Sequence, residues 1–452
     1  MLNAFAFGKV NSKNKNVSPK GDGLMKIKNG FSYKEVLKKP AKKKKNPARP
    51  SFFFRTLIRA VSMPDLFATK FKYKKIGMEK LKRNEPCFIL MNHSSFIDLK
   101  IANRILYPRK YNIVCTSDGF IGKNWLMRQI GCIPTKKFVT EVDLVHDMLY
   151  AVKRYNSSIL MYPEASYSFD GTATPIPDSL GRCAKMLGLP IIMIKTEGAF
   201  TRDPLYNSLQ LRKVQVSATA EYLLSPEELK TMSTKEINAL LKERFSFDNF
   251  LWQQENGVKV TEDFRADNLN RVLYKCPNCM AEGETVGDGV TLTCKKCGKV
   301  YELTEDGFMK AIDGETEHPH IPDWYAWERE CVRNEIIDGT YKLDIDVDIF
   351  AMVDTDCIYS LGEGHMTHDR DGFHLTGCDG ELDYYQKPLS SYSLYADYYW
   401  YKLGDMICIG DKKILYYCFP KNCGDVVAKT RLAAEELYKI TRAEKRNPTA
   451  EQ

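Results

Sequence analysis

Between about residues 70 and 224, short apolar runs alternate with segments of helical periodicity, and this alternation restricts the fold more than any other feature of the chain. FKYKKIGM, CFILMNH, NIVCTS, SSILMYPE, PIIMIKTEG and VQVSATAEYLL are short and bounded by turn residues, so they read as strands. Segments 123–130, 141–154 and 179–188 fit as helices between them. A strand that is apolar on consecutive residues belongs to a sheet covered on both faces. The expectation is an α/β domain on a mostly parallel sheet, with its chemistry gathered beyond the carboxyl ends of the strands. Residues 225–245, opened by Ser225, Pro226, Glu227 and Glu228, add a helical tail.

The run CFILMNH ends in Asn92 and His93, and the segment from Ser94 to Asp98 opens the next helix. Five positions on one helix would hold two side chains about 140° apart, so His93 and Asp98 meet only if one sits on the strand end and the other in the first helical turn. In that arrangement the carboxylate takes the Nδ1 proton and leaves Nε2 as a base near pH 7. The competing interpretation is local: Ser95 and Asp98 have the spacing of a capping pair, which leaves His93 as a polar strand end. For the isolated spacing the cap is the better account; the neighbouring blocks reverse the order.

Glu164, in the run MYPEASYS, ends another apolar strand and is projected to the same rim, where a carboxylate can hold a substrate hydroxyl. The run GCIPTKK brings Lys136 and Lys137 as cations able to pair with phosphate, although in a chain with 66 Lys and Arg a lysine is more often merely solvated. Ser94 and Ser95 lie outside any Gly-x-Ser-x-Gly elbow and are not candidate nucleophiles.

Taken together and in this order, the blocks over roughly residues 51–245 resemble the glycerolipid acyltransferase family, which includes the 1-acylglycerol-3-phosphate O-acyltransferases. NHSSFID is similar to the family's NHxxxxD, and YPEASYS to its FPEGTRS. The resemblance implies that His93 is a general base, that Asp98 orients it, and that acyl-CoA or acyl-carrier protein donates a chain to a glycerolipid hydroxyl without an acyl-enzyme or a catalytic cofactor. It also implies that Lys137 stands where the family has an Arg contacting the acceptor's phosphate. Glu164, Lys137, Lys136, Ser166 and Asn92 make up the candidate substrate-binding set. Ala165 replaces the family's Gly, Ser166 its Thr, and Tyr167 its Arg. Without a planar guanidinium fork, bidentate phosphate recognition is lost. A lysophospholipid with a masked phosphate, or another lipid alcohol, therefore competes with lysophosphatidic acid as acceptor.

Cys276 and Cys279 form one CxxC pair and Cys294 and Cys297 a second, separated by 14 residues, with Gly298 after the last. Two such knuckles predict a zinc ribbon over 270–303 with a four-thiolate structural zinc site; unmetallated thiols or iron are the alternatives. The other ten cysteines show no disulfide rhythm, which fits a reducing compartment. Lys275, Lys295, Lys296 and Lys299 surround the knuckles without interleaved aromatics, so nucleic acid is not the expected partner.

A linker with His318, Pro319, His320 and Pro322 follows the ribbon. Residues 320–445 read as a β-rich module closed by a helix at 425–443, with a faint likeness in shape to a pleckstrin-homology-type barrel. In it Asp344, Asp346 and Asp348 alternate with apolar residues as the solvated face of a strand, and His365, His368 and His374 read as loop histidines rather than a metal site.

Charge is concentrated at the amino end, where residues 1–49 hold fourteen Lys or Arg against Asp22 and Glu35 in a chain of net charge +8. Residues 1–50 are expected to be a disordered basic arm able to meet an anionic membrane surface. In SFFFRTLIRAVS, at 51–62, Phe54, Leu57, Ile58 and Val61 share a face, which predicts an amphipathic helix that either lies in a lipid interface or packs on a core. Residues 51–250 are the expected acyltransferase domain. With no long apolar span and no secretory leader, the expected location is cytoplasmic, peripheral on the cytoplasmic face of a membrane. The rival interpretation is a zinc-ribbon binding or scaffold protein whose acyltransferase-like domain is inactive.

Overall fold

The computed structural model describes residues 25–40, 44–139 and 142–446. A short strand, β1 (Ile27–Lys28), precedes the main sheet. That sheet comprises β2 (Lys72–Ile76), β3 (Phe88–Met91), β4 (Tyr111–Thr116), β5 (Cys132–Thr135), β6 (Ser158–Met161), β7 (Ile191–Glu197) and β8 (Ser217–Leu224). Its order is β2-β8-β7-β3-β6-β4-β5. The five strands from β7 to β5 are parallel, whereas β8 runs antiparallel to β7 and carries β2 parallel to itself. The expected mostly parallel sheet is present.

Strand β3 shows why its sequence is continuously apolar. Ile89 and Met91 face a core shared with the helices Phe52–Ala68 and Asp98–Leu106. Phe88 and Leu90 face the opposite core, shared with the helices Val142–Tyr155, Leu180–Leu187 and Thr234–Phe245. Each of these fully buried side chains contributes about 1.5–3 kcal/mol by leaving water, so the strand at the centre of the sheet is fixed from both sides.

Several elements differ from expectation. Strand β5 was expected only as a lysine-bearing block; it is four residues long, contains Pro134, and lies on the sheet edge where a missing N–H is tolerated. The helical tail divides into Pro226–Thr231 and Thr234–Phe245, because Ser233 and Glu236 form a second capping box behind that of Ser225 and Glu228. The helix expected over 51–62 extends to Ala68, with Pro64 on its exposed side. Of the predicted apolar face, Ile58 is buried, Phe54 and Val61 are half-buried and Leu57 is exposed.

The cysteine-bearing segment is an antiparallel sheet of β9 (Thr285–Asp288), β10 (Thr291–Cys294), β11 (Val300–Leu303) and β12 (Met309–Ala311), in the order β12-β11-β10-β9. After it, the segment expected as a linker is in part a helix, Ile321–Ile337, with Pro322 in its first turn, where the missing N–H does no harm. The carboxyl-terminal sheet contains β13 (Leu343–Met352), β14 (Ile358–Asp369), β15 (Gly372–Gly377), β16 (Leu382–Gln386), β17 (Tyr395–Trp400), β18 (Gly404–Gly410) and β19 (Leu415–Lys421). Its order is β16-β15-β14-β13-β19-β18-β17, and the helix Val427–Arg446 packs on it. The expected β-rich module with a closing helix is present. His365 and His368 lie on β14 and His374 on β15, not in loops. Asp344 and Asp346 pair with His365, and Asp348 with Lys421.

The expected domain boundaries separate segments that share one core. Leu292 and Tyr301 of the ribbon, Trp324 and Val332 of the helix Ile321–Ile337, and Val347, Ile407 and Leu432 of the last module belong to a single apolar cluster. Phe169, Phe200 and Phe250 join that cluster from the first domain. The expectation of a disordered arm over 1–50 fails where the chain is described: Ile27 and Lys28 pair with β14, Val36 is fully buried, and Lys44 bonds Asp147 at 3.0 Å. Apolar anchors spaced among the lysines hold this stretch down. Residues 1–24 and 41–43 of the arm lie outside the described residues.

Candidate active site

Strands β3 and β6 are parallel neighbours, so the segments that follow Met91 and Met161 leave the sheet at the same rim. Asn92 fixes the first of them. Its amide donates to the Thr196 carbonyl at 3.1 Å and accepts from the Thr196 N–H at 2.8 Å, tying the end of β3 to β7. The next residue, His93, then faces Asp98 at the start of its helix, with Nδ1 3.1 Å from Oδ2. The same carboxylate oxygen accepts the backbone N–H groups of Ser94 at 2.9 Å and Ser95 at 3.0 Å. A buried carboxylate held by several N–H groups only accepts, so Nδ1 carries the proton and Nε2 is the basic nitrogen. Among the described residues no hydrogen bond occupies Nε2.

The capping interpretation holds alongside the His93–Asp98 pair. The Ser95 N–H bonds the Asp98 carboxylate and the Ser95 hydroxyl accepts the Ile97 N–H at 3.3 Å, while the same hydroxyl donates to Oδ1 of Asp203. Asp203 pairs with Arg202 at 3.1 Å; Arg202 also pairs with Asp65, which in turn holds Lys100 at 2.6 Å. This charge network, buried at Arg202 and Asp203 and half-buried at Asp65 and Lys100, was missed in the sequence and ties down the loop that carries the catalytic candidates. Burial pushes the Asp203 carboxyl up to about 7 despite Arg202 and Ser95.

The rings of Tyr162 and Tyr167 lie 4.4 and 4.1 Å from the His93 ring. Between them the chain turns at Ala165, whose φ of 57° is in the left-handed region. Tyr167 therefore packs on the imidazole from the position where the resembled family has an Arg.

Asn92, Glu164 and Ser166, expected to bind substrate, are buried behind the cavity wall instead. Glu164 accepts from the Thr174 N–H at 3.3 Å and the Thr174 hydroxyl at 3.2 Å, and it lies against the His93 backbone N–H. Burial raises its carboxyl to about 8, against the pull of those donors. Ser166 keeps its hydroxyl enclosed without a partner among the described residues. These side chains shape the rim because the turns that bear them point into the sheet end, not into the cavity.

That cavity has a volume of about 2900 Å³ and is lined by His93, Asp98, Tyr162 and Tyr167 on one side. Part of its wall comes from the carboxyl-terminal module, through Tyr395, Asp397, Tyr399 and Tyr401. Both predicted cations contact the carboxyl-terminal module. Lys136 donates to the carbonyls of Asp411, at 3.4 Å, and of Lys412. Lys137 places its ammonium 3.9 Å from the ring centre of Tyr395. Burial lowers the Lys137 ammonium, while Asp397 and Asp118 oppose the fall.

Away from this site, Cys276, Cys279, Cys294 and Cys297 bring their sulfurs within 4.8 Å of one another and can hold a metal ion. Sγ of Cys276 is 3.8 Å from that of Cys297, and Sγ of Cys279 is 3.7 Å from that of Cys294. A tetrahedral ion with metal–sulfur distances of about 2.3 Å requires sulfur–sulfur edges of about 3.8 Å, so the four thiols fit one. Each knuckle ends in a left-handed residue, Met280 and Gly298, whose N–H bonds the carbonyl of the first cysteine at 2.9 Å.

The family model described as Acyltransferase matches residues 72–196, the segment that carries NHSSFID and YPEASYS. Among solved structures, the crystal structure of the 1-acyl-sn-glycerophosphate (LPA) acyltransferase, PlsC, from Thermotoga maritima is similar to this chain at 14% identity. The similarity covers 43% of this chain and 77% of that one, with a TM-score of 0.34. No protein of curated function matches the chain. No helix among the described residues is long and apolar enough to cross a membrane.

Proposed function

Residues 72–196 are a domain of the acyltransferase family, and from that premise we propose that the chain is an O-acyltransferase that moves a fatty acyl group from acyl-CoA or acyl-carrier protein to the hydroxyl of a glycerolipid. The observation that carries the reading is the His93–Asp98 pair, 3.1 Å apart, on the wall of a cavity far larger than the roughly 300–1000 Å³ of a single small-molecule site. Such a space accommodates two substrates.

In the proposed reaction the acceptor hydroxyl lies against Nε2 of His93. As its oxygen attacks the thioester carbonyl, the proton passes to Nε2, and Asp98 stabilises the imidazolium that forms. The new C–O bond forms, the C–S bond breaks, and the leaving thiolate takes the proton from the imidazolium. No side chain is acylated along the way. The acceptor is a lysophosphatidic acid or another lysophospholipid.

A membrane-surface role is supported by the helix Phe52–Ala68. Phe53, Leu57, Ala60, Pro64 and Phe67 recur at helical spacing and are all exposed, at 66% for Phe53 and 75% for Phe67. Ile58, Ser62 and Asp65 of the same helix line the cavity. An apolar stripe at the edge of a lipid-sized cavity suits a protein that lies on the cytoplasmic face of an anionic membrane and takes its acceptor from it. The ion in the four-thiolate site is proposed to be zinc and structural, since all four ligand positions belong to the protein.

The test is to incubate the purified chain with isotope-labelled acyl-CoA and a panel of lyso-lipids and to identify the products by mass spectrometry. Label in an ester of a glycerolipid is the expected result. Hydrolysis alone, or no consumption of the thioester with any acceptor, would overturn the reading.

A further inference from the structure

The carboxyl-terminal module places a set of charges and rings on the wall of the cavity that His93 also lines. Lys137 lies with its ammonium over Tyr395, and both Asp118 and Asp397 act on its charge. These two carboxylates differ in what they already hold. Asp118 accepts the Tyr395 hydroxyl at 2.6 Å, the Trp400 indole N–H at 3.3 Å and the Gly119 N–H at 2.8 Å. Asp397 accepts only the backbone N–H of Tyr398, at 3.0 Å, among the described residues. Tyr395, Tyr399, Trp400 and Tyr401 line the cavity around it.

Two further observations mark this wall as a binding surface. Tyr399, at the irregular end of β17, and Tyr401 and Lys402, in the turn that follows, all have positive φ, at 53°, 45° and 65°. The left-handed region disfavours a β-carbon, and such strain collects at ligand clamps. The turn is held in this state from outside the cavity, where Asp405 accepts the Tyr399 N–H at 2.8 Å and pairs with Arg271 at 2.9 Å. Burial also raises the Asp397 carboxyl to about 7, opposed by Lys137, so a cation arriving beside it meets a group that its own charge ionises.

This pattern is a poor match for a phosphate monoester. Asp118 and Asp397 flank the ammonium that lies over Tyr395, so the second negative charge of a dianionic head group would meet carboxylates beside it. The pattern is a good match for a head group that alternates in sign, with a single negative charge for Lys137 and a positive charge for Asp397 and the aromatic faces. We propose that Lys137, Asp397 and the tyrosines of β17 and its turn form a head-group subsite for a zwitterionic lysophospholipid, with its phosphodiester at Lys137 and its ammonium at Asp397. The proposal rests on the reading of this cavity as the acceptor site. It makes the carboxyl-terminal module the part of the chain that selects the acceptor.

The test uses the full-length protein with lysophosphatidylcholine, lysophosphatidylethanolamine and lysophosphatidic acid of one short chain length, and measures both binding affinity and acyl transfer from labelled acyl-CoA. The wild type is expected to bind the two zwitterionic lipids at least roughly tenfold more tightly than lysophosphatidic acid. Asp397→Asn is expected to erase that preference by raising Kd and KM for the zwitterionic lipids while kcat changes little. Asp397→Glu, which keeps the charge, retains part of the preference and serves if the amide variant fails to fold. Tighter binding of lysophosphatidic acid by the wild type, or an Asp397→Asn variant that folds and keeps the preference, overturns the subsite. Selective binding without acyl transfer to any lipid upholds the subsite and refutes the enzymatic reading, so the two failures are distinct.

Discussion

Nδ1 of His93 lies 3.1 Å from Oδ2 of Asp98, and the N–H groups of Ser94 and Ser95 hold that same oxygen in place. The carboxylate therefore fixes both the tautomer and the direction of the imidazole. Asp98→Asn keeps the shape, and the Ser94 and Ser95 N–H groups still hold an accepting oxygen toward Nδ1, but the neutral amide no longer stabilises the imidazolium. Steady-state assays are expected to show kcat reduced by roughly 10²–10⁴ with the acceptor KM nearly unchanged. A variant with wild-type kcat would remove Asp98 from the mechanism.

Ala165 turns the chain between Tyr162 and Tyr167 at a φ of 57°. A β-carbon is disfavoured there, and the resembled family's Gly carries none. Ala165→Gly is expected to stabilise the protein by about 1 kcal/mol, visible as a rise of a few degrees in Tm. An unchanged or lower Tm would mean that the turn is not strained.

Glu164 titrates near 8 in the folded chain, against an ordinary value of 4.5, because burial disfavours its charge. The folded state therefore holds this proton more tightly than the unfolded state. Its contribution to stability is fully present below about 4.5 and is lost as pH rises to about 8. Glu164→Gln has no such loss, so the Tm of the variant minus that of the wild type is expected to grow between pH 5 and 8. A difference that is flat with pH, or shrinks, would contradict the burial account.

How much of this was legible in the sequence depends on range. The central strands and the convergence of His93 with Asp98 follow from runs of neighbouring residues, whose periodicity and turn residues report burial directly. Edge strand β5 was hidden by Pro134 and its four-residue length, and the helix Ile321–Ile337 by prolines that sit in or just before its first turn. The part of the cavity wall that the carboxyl-terminal module supplies was illegible for a different reason. Tyr395 meets Asp118 across 277 positions, and nothing in either local pattern encodes the pairing. Glu164 was misjudged because proximity to the rim does not say which way a side chain points. The four cysteines were readable, since ligand spacing is itself a local pattern.

The exposed stripe of the helix Phe52–Ala68 leads to a surface prediction. Replacing Phe53, Leu57 and Phe67 together with Ser removes apolar area that is already in water, so Tm is expected to change little. Cosedimentation with vesicles containing anionic lipid is expected to fall by roughly tenfold or more, since each buried methylene contributes about 0.8 kcal/mol to insertion. Unchanged vesicle binding would assign the stripe no part in membrane contact.

The most direct measurement is the initial rate of labelled acyl transfer to a lyso-lipid by His93→Ala beside the wild type, with both melting at similar temperatures. The wild type is expected to form product, and the variant to lose at least roughly a hundredfold in kcat while still binding the acceptor. Turnover by His93→Ala at the wild-type rate would contradict general-base catalysis by this imidazole.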